Sequence, residues 1–265
     1  MKRNDLIIFD LDGTLAESKA PLDAEMAALL CQLLARNKVA VISGASFTQF
    51  QTQFLAQLSC GQLELTNLLI LPTSGASFYT YDNGGATMIE ASANNWKLVY
   101  QKSLTPNEEK QIDDAIETVL EQLHMTPQDL PEQKIYGQQI EDRGSAVTFS
   151  DLGQSAPISA KQNWDPDHKK REAMVAKLQP LLPDFEINIG GMTSIDITKK
   201  GADKEHGILA IADYLKLEKS DILYVGDALF VGGNDYGAVK AGVQTHAVKN
   251  PTETKDFIRG ILSEK

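Results

Sequence analysis

Apolar positions in the first and last thirds of the chain alternate between short continuous runs and runs with helical spacing. Continuous runs predict buried strands, and apolar residues three and four positions apart predict amphipathic helices. Strands are predicted in this way at 6–10, 39–43, 68–72, 221–227 and 245–248. Helices are predicted at 21–37, 46–58, 202–217, 234–242 and 251–262, with Gly242 closing the fourth of them. Because strands that alternate with helices are typical of a parallel sheet, both thirds predict one Rossmann-like α/β core.

The middle of the chain has a different pattern. It contains strand signals at 77–90, with an Asn-Gly-Gly hairpin turn, and at 145–153 and 185–197, together with helical stretches at 106–124 and 168–182. Strands and helices that do not alternate strictly indicate an α+β unit. We therefore predict an inserted α+β cap domain at 86–186, with 1–85 and 187–265 forming the parallel-sheet core.

Composition and charge narrow the classes of partner. The 265 residues are 42% hydrophobic, and the net charge is -11 with a pI of about 4.9. Nucleic acids and anionic membranes are bound by clustered Lys and Arg, so neither is expected as a partner. No apolar stretch approaches the ~18 residues that a membrane span needs, and a cytoplasmic location is expected. With only two cysteines, Cys31 and Cys60, in contexts that read as helical, reduced thiols are expected rather than a disulfide.

Polar residues follow several of the predicted strands. Asp10 and Asp12 end the first strand, Ser43 follows the second, and Asp227 follows a later one. The sequence SGASF occurs at 43–47 and again at 74–78, each time after a predicted strand, which places two loops on one rim. Carboxyl ends of parallel strands converge, so these residues and Lys204, at a helix start, are expected to form a single site. Carboxylates for Mg²⁺, with a hydroxyl and an ammonium for phosphoryl oxygens, are what phosphoryl transfer requires.

Four short motifs also carry a resemblance to a known superfamily. FDLDGTL resembles the first motif of the haloacid dehalogenase superfamily, VISG its second, GADK its third and VGDALFVGGNDY its fourth. Within the cap-containing type IIB branch, the fourth motif and the segment INIGGMTSIDI are most similar to the eukaryotic-type phosphomannomutases. The resemblance touches most of the chain, and the first and fourth motifs carry most of its weight.

The resemblance implies a role for each core residue. Asp10 would be the nucleophile that forms an aspartyl phosphate, and Asp12 the general acid and base. Ser43, Gly44 and Lys204 would hold the phosphoryl group. The implied Mg²⁺ site comprises Asp10, the main-chain carbonyl of Asp12, Asp227, Asn234 and Asp235, and the cation would offset repulsion among the carboxylates.

The inserted domain is expected to select the substrate. Lys19, Arg143, Lys161, Ser194 and Asp196 match substrate-binding positions of the family resembled, whereas Gln154 stands where that family has an arginine. A mutase must hold either end of a bisphosphate in turn, so the loss of this cation weakens the case for mutase activity.

Three hypotheses from different classes follow. The first is Mg²⁺-dependent hydrolysis of a sugar phosphate monoester through an aspartyl phosphate, with phosphomannomutase as its close alternative. The second is a signalling receiver domain, and the third is a non-catalytic sugar-phosphate binding protein. The expected partner is a small phosphosugar, and a homodimer through the inserted domain is one expectation for the oligomeric state, which the sequence leaves open.

Overall fold

The chain folds as two compact units. The structure is a computed structural model and describes residues 5–18, 20–82 and 95–263. One unit, here the core unit, comprises Met1–Gln101 and Asp203–Lys265, and the other, the inserted unit, comprises Lys102–Ala202. An insertion is therefore present as predicted. It begins 16 residues after the predicted start (102 against 86) and ends 16 residues after the predicted end (202 against 186).

The core unit is built on a seven-stranded sheet with the order β11-β10-β1-β2-β3-β4-β5. The strands are β1 (Leu6–Asp10), β2 (Lys38–Ile42), β3 (Leu68–Leu71), β4 (Ser77–Tyr81), β5 (Trp96–Gln101), β10 (Ile222–Gly226) and β11 (Gln244–Ala247). The first three strands and the last two are parallel, and β4 and β5 are antiparallel additions at one edge. The helices are α1 (Ala24–Leu34), α2 (Phe47–Gln53), α3 (Gln62–Leu65), α7 (Lys204–Leu215), α8 (Tyr236–Ala241) and α9 (Pro251–Ser263).

Alternation along the strands gives this sheet a core on each face. Phe9 and Val41 point into one buried apolar cluster, and Ile8 and Ile42 point into the other. Because both faces are covered, strands such as β1 read as continuous apolar runs. That is why periodicity located β1, β2, β3 and β10 well.

The inserted unit has a four-stranded antiparallel sheet with the order β6-β7-β9-β8. Its strands are β6 (Ile140–Asp142), β7 (Ala146–Ser150), β8 (Phe185–Gly190) and β9 (Ser194–Lys199), and its helices are α4 (Pro106–Gln122), α5 (Ile158–Trp164) and α6 (Lys169–Leu181). Buried side chains of β7 and β9, such as Phe149 and Ile197, pack with residues of α4 and α6 in one apolar cluster. The α+β character of the insertion is as predicted.

The predicted domain bounds differ from the observed ones because strand pairing assigns two segments to the other unit. Trp96–Gln101 pairs antiparallel with β4, which places it in the core sheet. Ser194–Lys199 pairs with both β7 and β8, which places it in the inserted sheet. The predicted hairpin turn at Asn83, Gly84 and Gly85 lies outside the described residues.

The prediction of two reduced cysteines is wrong. Cys31 of α1 and Cys60 form a disulfide, with their Cα atoms 5.1 Å apart. Cys60 also lies in a loop just before α3, not in the helix that its sequence context indicated. The tertiary fold brings together two positions separated by 29 residues, which no local pattern could reveal. Disulfides are rare in reducing compartments, so the cysteines no longer support the expected cytoplasmic location.

Within the described ranges, we find no helix that is both long enough and apolar enough to span a membrane.

Candidate active site

The candidate site lies at the carboxyl ends of the parallel core strands, at the point where the strand order reverses. From β1 the chain adds β2 and β3 on one side, and later β10 and β11 on the other. Asp10 is the last residue of β1, Ser43 follows β2, and Asp227 follows β10. Ligands of open α/β sheets bind at such a switch point.

Gly13 allows the loop after β1 to approach Asp227 closely. Its φ is +82°, and a Cβ atom there would lie only 2.7 Å from Asp227 Oδ2. A larger residue would be strained and would displace the carboxylate. The next residue, Thr14, is fully buried, and its hydroxyl donates to Asp227 Oδ1 at 3.4 Å. Gly13 and Thr14 thus allow the loop after β1 to pack closely against Asp227 of the fourth motif.

The Lys204 ammonium group, at the first turn of α7, lies between two buried carboxylates. Its Nζ atom donates to Asp10 Oδ1 at 2.5 Å, to Asp235 Oδ1 at 2.7 Å and to the Tyr224 hydroxyl at 3.3 Å. All four residues are buried. An ammonium group has three N–H donors, so these three acceptors match its full donor capacity.

Asp235 is the more strongly held of the two carboxylates. Its Oδ1 atom accepts from Lys204 and from the Tyr224 hydroxyl, at 2.5 Å, and its Oδ2 atom accepts from the Ala228 N–H at 3.0 Å. Gly226 makes room for this side chain, because a Cβ atom there would lie 2.4 Å from Asp235 Oδ2. Asp10, in contrast, has Oδ2 buried without a hydrogen-bond partner.

Asp10 and Asp235 differ in pKa because they accept different numbers of hydrogen bonds. Burial raises the pKa of Asp10 well above its usual value; Lys204 opposes the rise and the charge of Asp235 adds to it. Burial acts in the same direction on Asp235, but the charge and hydrogen bond of Lys204, followed by the Tyr224 hydrogen bond, lower its pKa. The pKa of Lys204 is raised, since the attraction of Asp10 and Asp235 outweighs the cost of burial. The centre therefore favours a proton or a cation near Asp10.

Three carboxylates at this centre are suited to bind a divalent cation. Asp10, Asp227 and Asp235 each offer a carboxylate oxygen, and these oxygens lie within 4.8 Å of one another. Partial burial, followed by the charge of Asp235, raises the pKa of Asp227, so a nearby cation would also favour the ionised form of this carboxylate. Carboxylate oxygens of this type suit Mg²⁺.

The other predicted core residues lie around this centre. Ser43 is buried and donates to Asp12 Oδ2 at 3.3 Å, and Asp12 is partly exposed. Gly44 follows Ser43 with partial exposure, and Asn234 is exposed next to Asp235. The two SGASF loops do share one rim, because the main chain of Ser74 donates to Ser43 O at 2.8 Å. Carboxylate, hydroxyl and ammonium groups thus meet at one edge of the core unit.

In the inserted unit, one face of the sheet carries a polar cluster. The Arg143 guanidinium donates to Glu141 Oε2 at 2.8 and 3.2 Å, and its Nη1 lies 3.7 Å from Asp196 Oδ1. Thr148 pairs with Asp196 across the strands, and its hydroxyl donates to Asp196 Oδ1 at 2.6 Å. Ser194, two residues before Asp196 on β9, is on the same face of the strand. The sheet thus brings Arg143 and Asp196 together.

Lys161 and Gln154 have a different environment. Lys161 is buried on α5, and its ammonium donates to the main-chain oxygen of Gln154 at 3.2 Å. The Gln154 side-chain nitrogen is buried without a hydrogen-bond partner. Lys161 therefore helps to hold the Gly-Gln-Ser loop, a structural contact that sequence matching did not indicate. Lys19 lies outside the described residues.

Two site residues were missed by sequence reasoning. Tyr224 reads as one more core residue of an apolar strand, although its hydroxyl contacts both Lys204 and Asp235. Thr14 reads as a turn residue, although it contacts Asp227. The available signal for Tyr224 was a polar hydroxyl group in an otherwise apolar strand, two residues before Gly226.

Comparisons with known proteins show which proteins the chain is similar to. The sequence profile described as eukaryotic phosphomannomutase matches residues 26–264. Phosphomannomutase 2 of Dictyostelium discoideum is 24% identical over 271 residues, which cover 99% of this chain and 98% of that protein. Phosphomannomutase of Encephalitozoon cuniculi is 26% identical, covering 94% of this chain and 90% of its own.

Solved structures extend the likeness to the fold. An N-terminally truncated, IMP-bound IMP-nucleotidase of Plasmodium falciparum matches with a TM-score of 0.69 at 20% identity, covering 98% of this chain and 68% of that chain. A trehalose-6-phosphate phosphatase related protein matches with a TM-score of 0.54 at 18% identity, covering 97% and 96% of the two chains. At these identities the similarity concerns the fold alone.

Proposed function

The chain belongs to the eukaryotic phosphomannomutase family of the haloacid dehalogenase superfamily, and from this premise we propose that it hydrolyses a sugar phosphate monoester through an aspartyl phosphate. Membership makes it an enzyme of the phosphotransferase or phosphohydrolase kind. The observation that carries the proposal is Asp10, whose Oδ1 atom is held by Lys204 at 2.5 Å while Oδ2 has no partner. A fixed carboxylate with one free oxygen is suited to nucleophilic attack.

The chemistry assigns one task to each residue. Asp10 Oδ2 attacks phosphorus as the bond from phosphorus to the sugar oxygen breaks, and Asp12 gives its proton to the departing sugar alkoxide. Asp12 then takes a proton from water, whose oxygen attacks the phosphorus, and breakage of the bond to Asp10 releases inorganic phosphate. Asp12 suits this role because it is partly exposed while Asp10 is buried. Ser43 is proposed to hold a phosphoryl oxygen, and Lys204, whose N–H groups already reach Asp10, Asp235 and Tyr224, is proposed to supply positive charge beside the phosphoryl group.

Mg²⁺ is the proposed cofactor. Asp10 and Asp227 would bind it directly, with Asp235 beside them and with the Asp12 carbonyl and Asn234 as further proposed ligands. When bound, it would supply positive charge against the carboxylates and the phosphate. Three hydrogen bonds already reach Asp235, which favours an orienting role for this residue.

The inserted unit supports hydrolysis over mutase activity. A mutase must bind a second phosphate, yet Arg143 is already paired with Glu141 and Asp196. One cation between two carboxylates is a poor site for another dianion, and Gln154 adds no charge. Arg143, Ser194 and Asp196 are therefore proposed to meet sugar hydroxyls rather than a phosphate, with Lys19 as a further proposed contact. Buried Lys161 is proposed instead to hold the loop that carries Gln154.

Phosphomannomutase activity is the second candidate, and the family match favours it. Both reactions share the aspartyl phosphate and differ in its acceptor, which is water or a sugar hydroxyl. A non-catalytic sugar-phosphate binder and a signalling receiver are less consistent with the partly exposed acid beside Asp10.

The test is phosphate release from a panel of sugar monophosphates, with Mg²⁺ and with EDTA, alongside isomerisation assays supplemented with a hexose bisphosphate. We expect Mg²⁺-dependent hydrolysis of at least one monophosphate and slower isomerisation. Isomerisation that exceeds hydrolysis would assign the mutase, and the absence of both activities would contradict an enzyme of this type. The Asp10→Asn variant, purified in parallel, controls for contaminating phosphatases.

A further inference from the structure

Tyr224 places a buried hydroxyl group inside the charged centre. It is the third residue of β10 and is fully buried, in the strand that leads to Asp227. Its ring lies against Gly226, where a Cβ atom would be 2.8 Å from Tyr224 Cε1. The ring is therefore confined, and its oxygen has little freedom to leave the centre.

The direction of each hydrogen bond at this hydroxyl is determined by its partners. The Lys204 ammonium can only donate, and it does so to the Tyr224 oxygen at 3.3 Å. An ionised Asp235 can only accept, so the single phenolic proton points to Asp235 Oδ1 at 2.5 Å. The hydroxyl thus links the cation to the carboxylate and takes the third N–H of Lys204, whose other two serve Asp10 and Asp235.

We propose that Tyr224 is a positioning residue: its hydroxyl fixes Lys204 relative to Asp235 and thereby holds Asp10 with Oδ2 free for attack. Without the hydroxyl, the third N–H of Lys204 has no acceptor in a buried site, and the ammonium can move toward either carboxylate. Asp10 takes its only side-chain hydrogen bond in the described network from this ammonium, so it would lose its fixed orientation. The effect on turnover rests on the proposed function.

The test compares Tyr224→Phe with Tyr81→Phe. The first removes only the phenolic oxygen and keeps the confined ring. Tyr81 is a matched control, since it is also buried in the core sheet and its hydroxyl accepts one hydrogen bond, from Asn95 at 3.0 Å. It lies at the end of β4 beside the beginning of β3, the opposite edge from the candidate site. Thermal unfolding of both variants establishes that each is folded.

Two readouts are measured on the full chain. We expect kcat of Tyr224→Phe to fall about tenfold, or about 1.4 kcal/mol, with KM within about twofold of the wild type. In metal-free protein with ¹⁵N-labelled lysine, NMR should detect the Lys204 ammonium, because burial slows exchange of its protons with water. That resonance, assigned by its loss in Lys204→Gln, should shift or broaden in Tyr224→Phe and stay unchanged in Tyr81→Phe.

The outcomes separate the positioning role from the proposed function. An ammonium resonance in Tyr224→Phe identical to the wild type overturns the positioning role, whatever the activity. A wild-type kcat in that variant also overturns it. If the wild-type chain hydrolyses no phosphate ester, the proposed function fails, and an altered ammonium resonance still supports the positioning of Lys204 by Tyr224.

Discussion

The charged side chains of the two units differ in how deeply they and their partners are buried. In the core unit, Asp10, Lys204 and Asp235 are at most 4% exposed, and a fixed set of donors and acceptors holds them. In the inserted unit, the Arg143 side chain is covered, but its carboxylate partners Glu141 and Asp196 are 30% and 22% exposed. Removing one partner of a buried ion pair is strongly destabilising because it leaves an uncompensated charge. Partly exposed charges can exchange their partners for water or a ligand. On the proposed function, the fixed charges of the core unit would carry out the chemistry, and the partly exposed charges of the inserted unit would meet the substrate.

The largest effect should come from Asp10→Asn, which changes the core chemistry with little change in shape. The amide oxygen can still accept from Lys204, so the protein should fold. We expect phosphate release to fall by about 10³-fold or more, because an amide is a poor nucleophile. Undiminished turnover in a folded variant would remove Asp10 from the mechanism.

A smaller loss is expected for Asp12→Ala. Removing the general acid and base should lower kcat by about 10²-fold or more. Mg²⁺ binding, measured calorimetrically, should persist because the proposed metal contact of residue 12 is its main-chain carbonyl. A wild-type rate would show that another group transfers the proton.

Replacing Arg143 tests whether the inserted unit recognises the sugar. Arg143→Ala should lower kcat/KM for the preferred phosphosugar by about 1.5 to 3 kcal/mol, the scale of a hydrogen bond to a charged group. A small aryl phosphate has no sugar hydroxyls, so its kcat/KM should change little.

The counterpart variant is Gln154→Arg, which should raise use of a hexose bisphosphate relative to hydrolysis. The measurement is turnover of the bisphosphate relative to hydrolysis in this variant and in the wild type.

For Arg143→Ala, kcat/KM is measured with the phosphosugar and with the aryl phosphate. If this variant slows both substrates equally, or slows neither, the inserted unit does not recognise the sugar and function is confined to the core unit.

The smallest effect concerns pH. The raised pKa values of Asp10 and Asp227 mean that protons compete with Mg²⁺ for these carboxylates. Affinity for Mg²⁺ should therefore be greatest at high pH and decline as pH falls through the raised pKa values. Calorimetric titration with MgCl₂ from about pH 8 to pH 5, in buffers of different ionisation enthalpy, should also detect proton release on binding. An affinity independent of pH across this range would show that both groups titrate as ordinary carboxyls.

The same contrast explains what the sequence could predict. The sequence indicated Asp10, Asp12, Ser43 and Asp227 because each lies at or just after the end of a buried strand, and the strand order then brings these strand ends together. Tyr224 was not indicated, since a tyrosine in a buried strand is ordinarily a core residue and only Lys204 and Asp235, distant in sequence, give it a role.

Features that depend on long-range pairing were predicted less well. The bounds of the inserted unit depend on β5 joining the core sheet and β9 joining the other, and neither pairing has a local signature. The Cys31–Cys60 disulfide depends on the approach of α1 to the loop before α3. In the inserted unit, Lys161 matched a substrate-binding position by sequence but contacts the main chain of Gln154.

The most direct test of the central claim is to trap phosphate on the protein during turnover. Wild-type enzyme and Asp12→Ala are mixed with a radiolabelled phosphosugar and Mg²⁺, quenched in acid, and treated with borohydride, which reduces an aspartyl phosphate to homoserine. The account predicts label on the protein and homoserine at position 10, with slower labelling in Asp12→Ala because that variant lacks the acid that protonates the departing alkoxide. Turnover with no label, or with label on another residue, would contradict it.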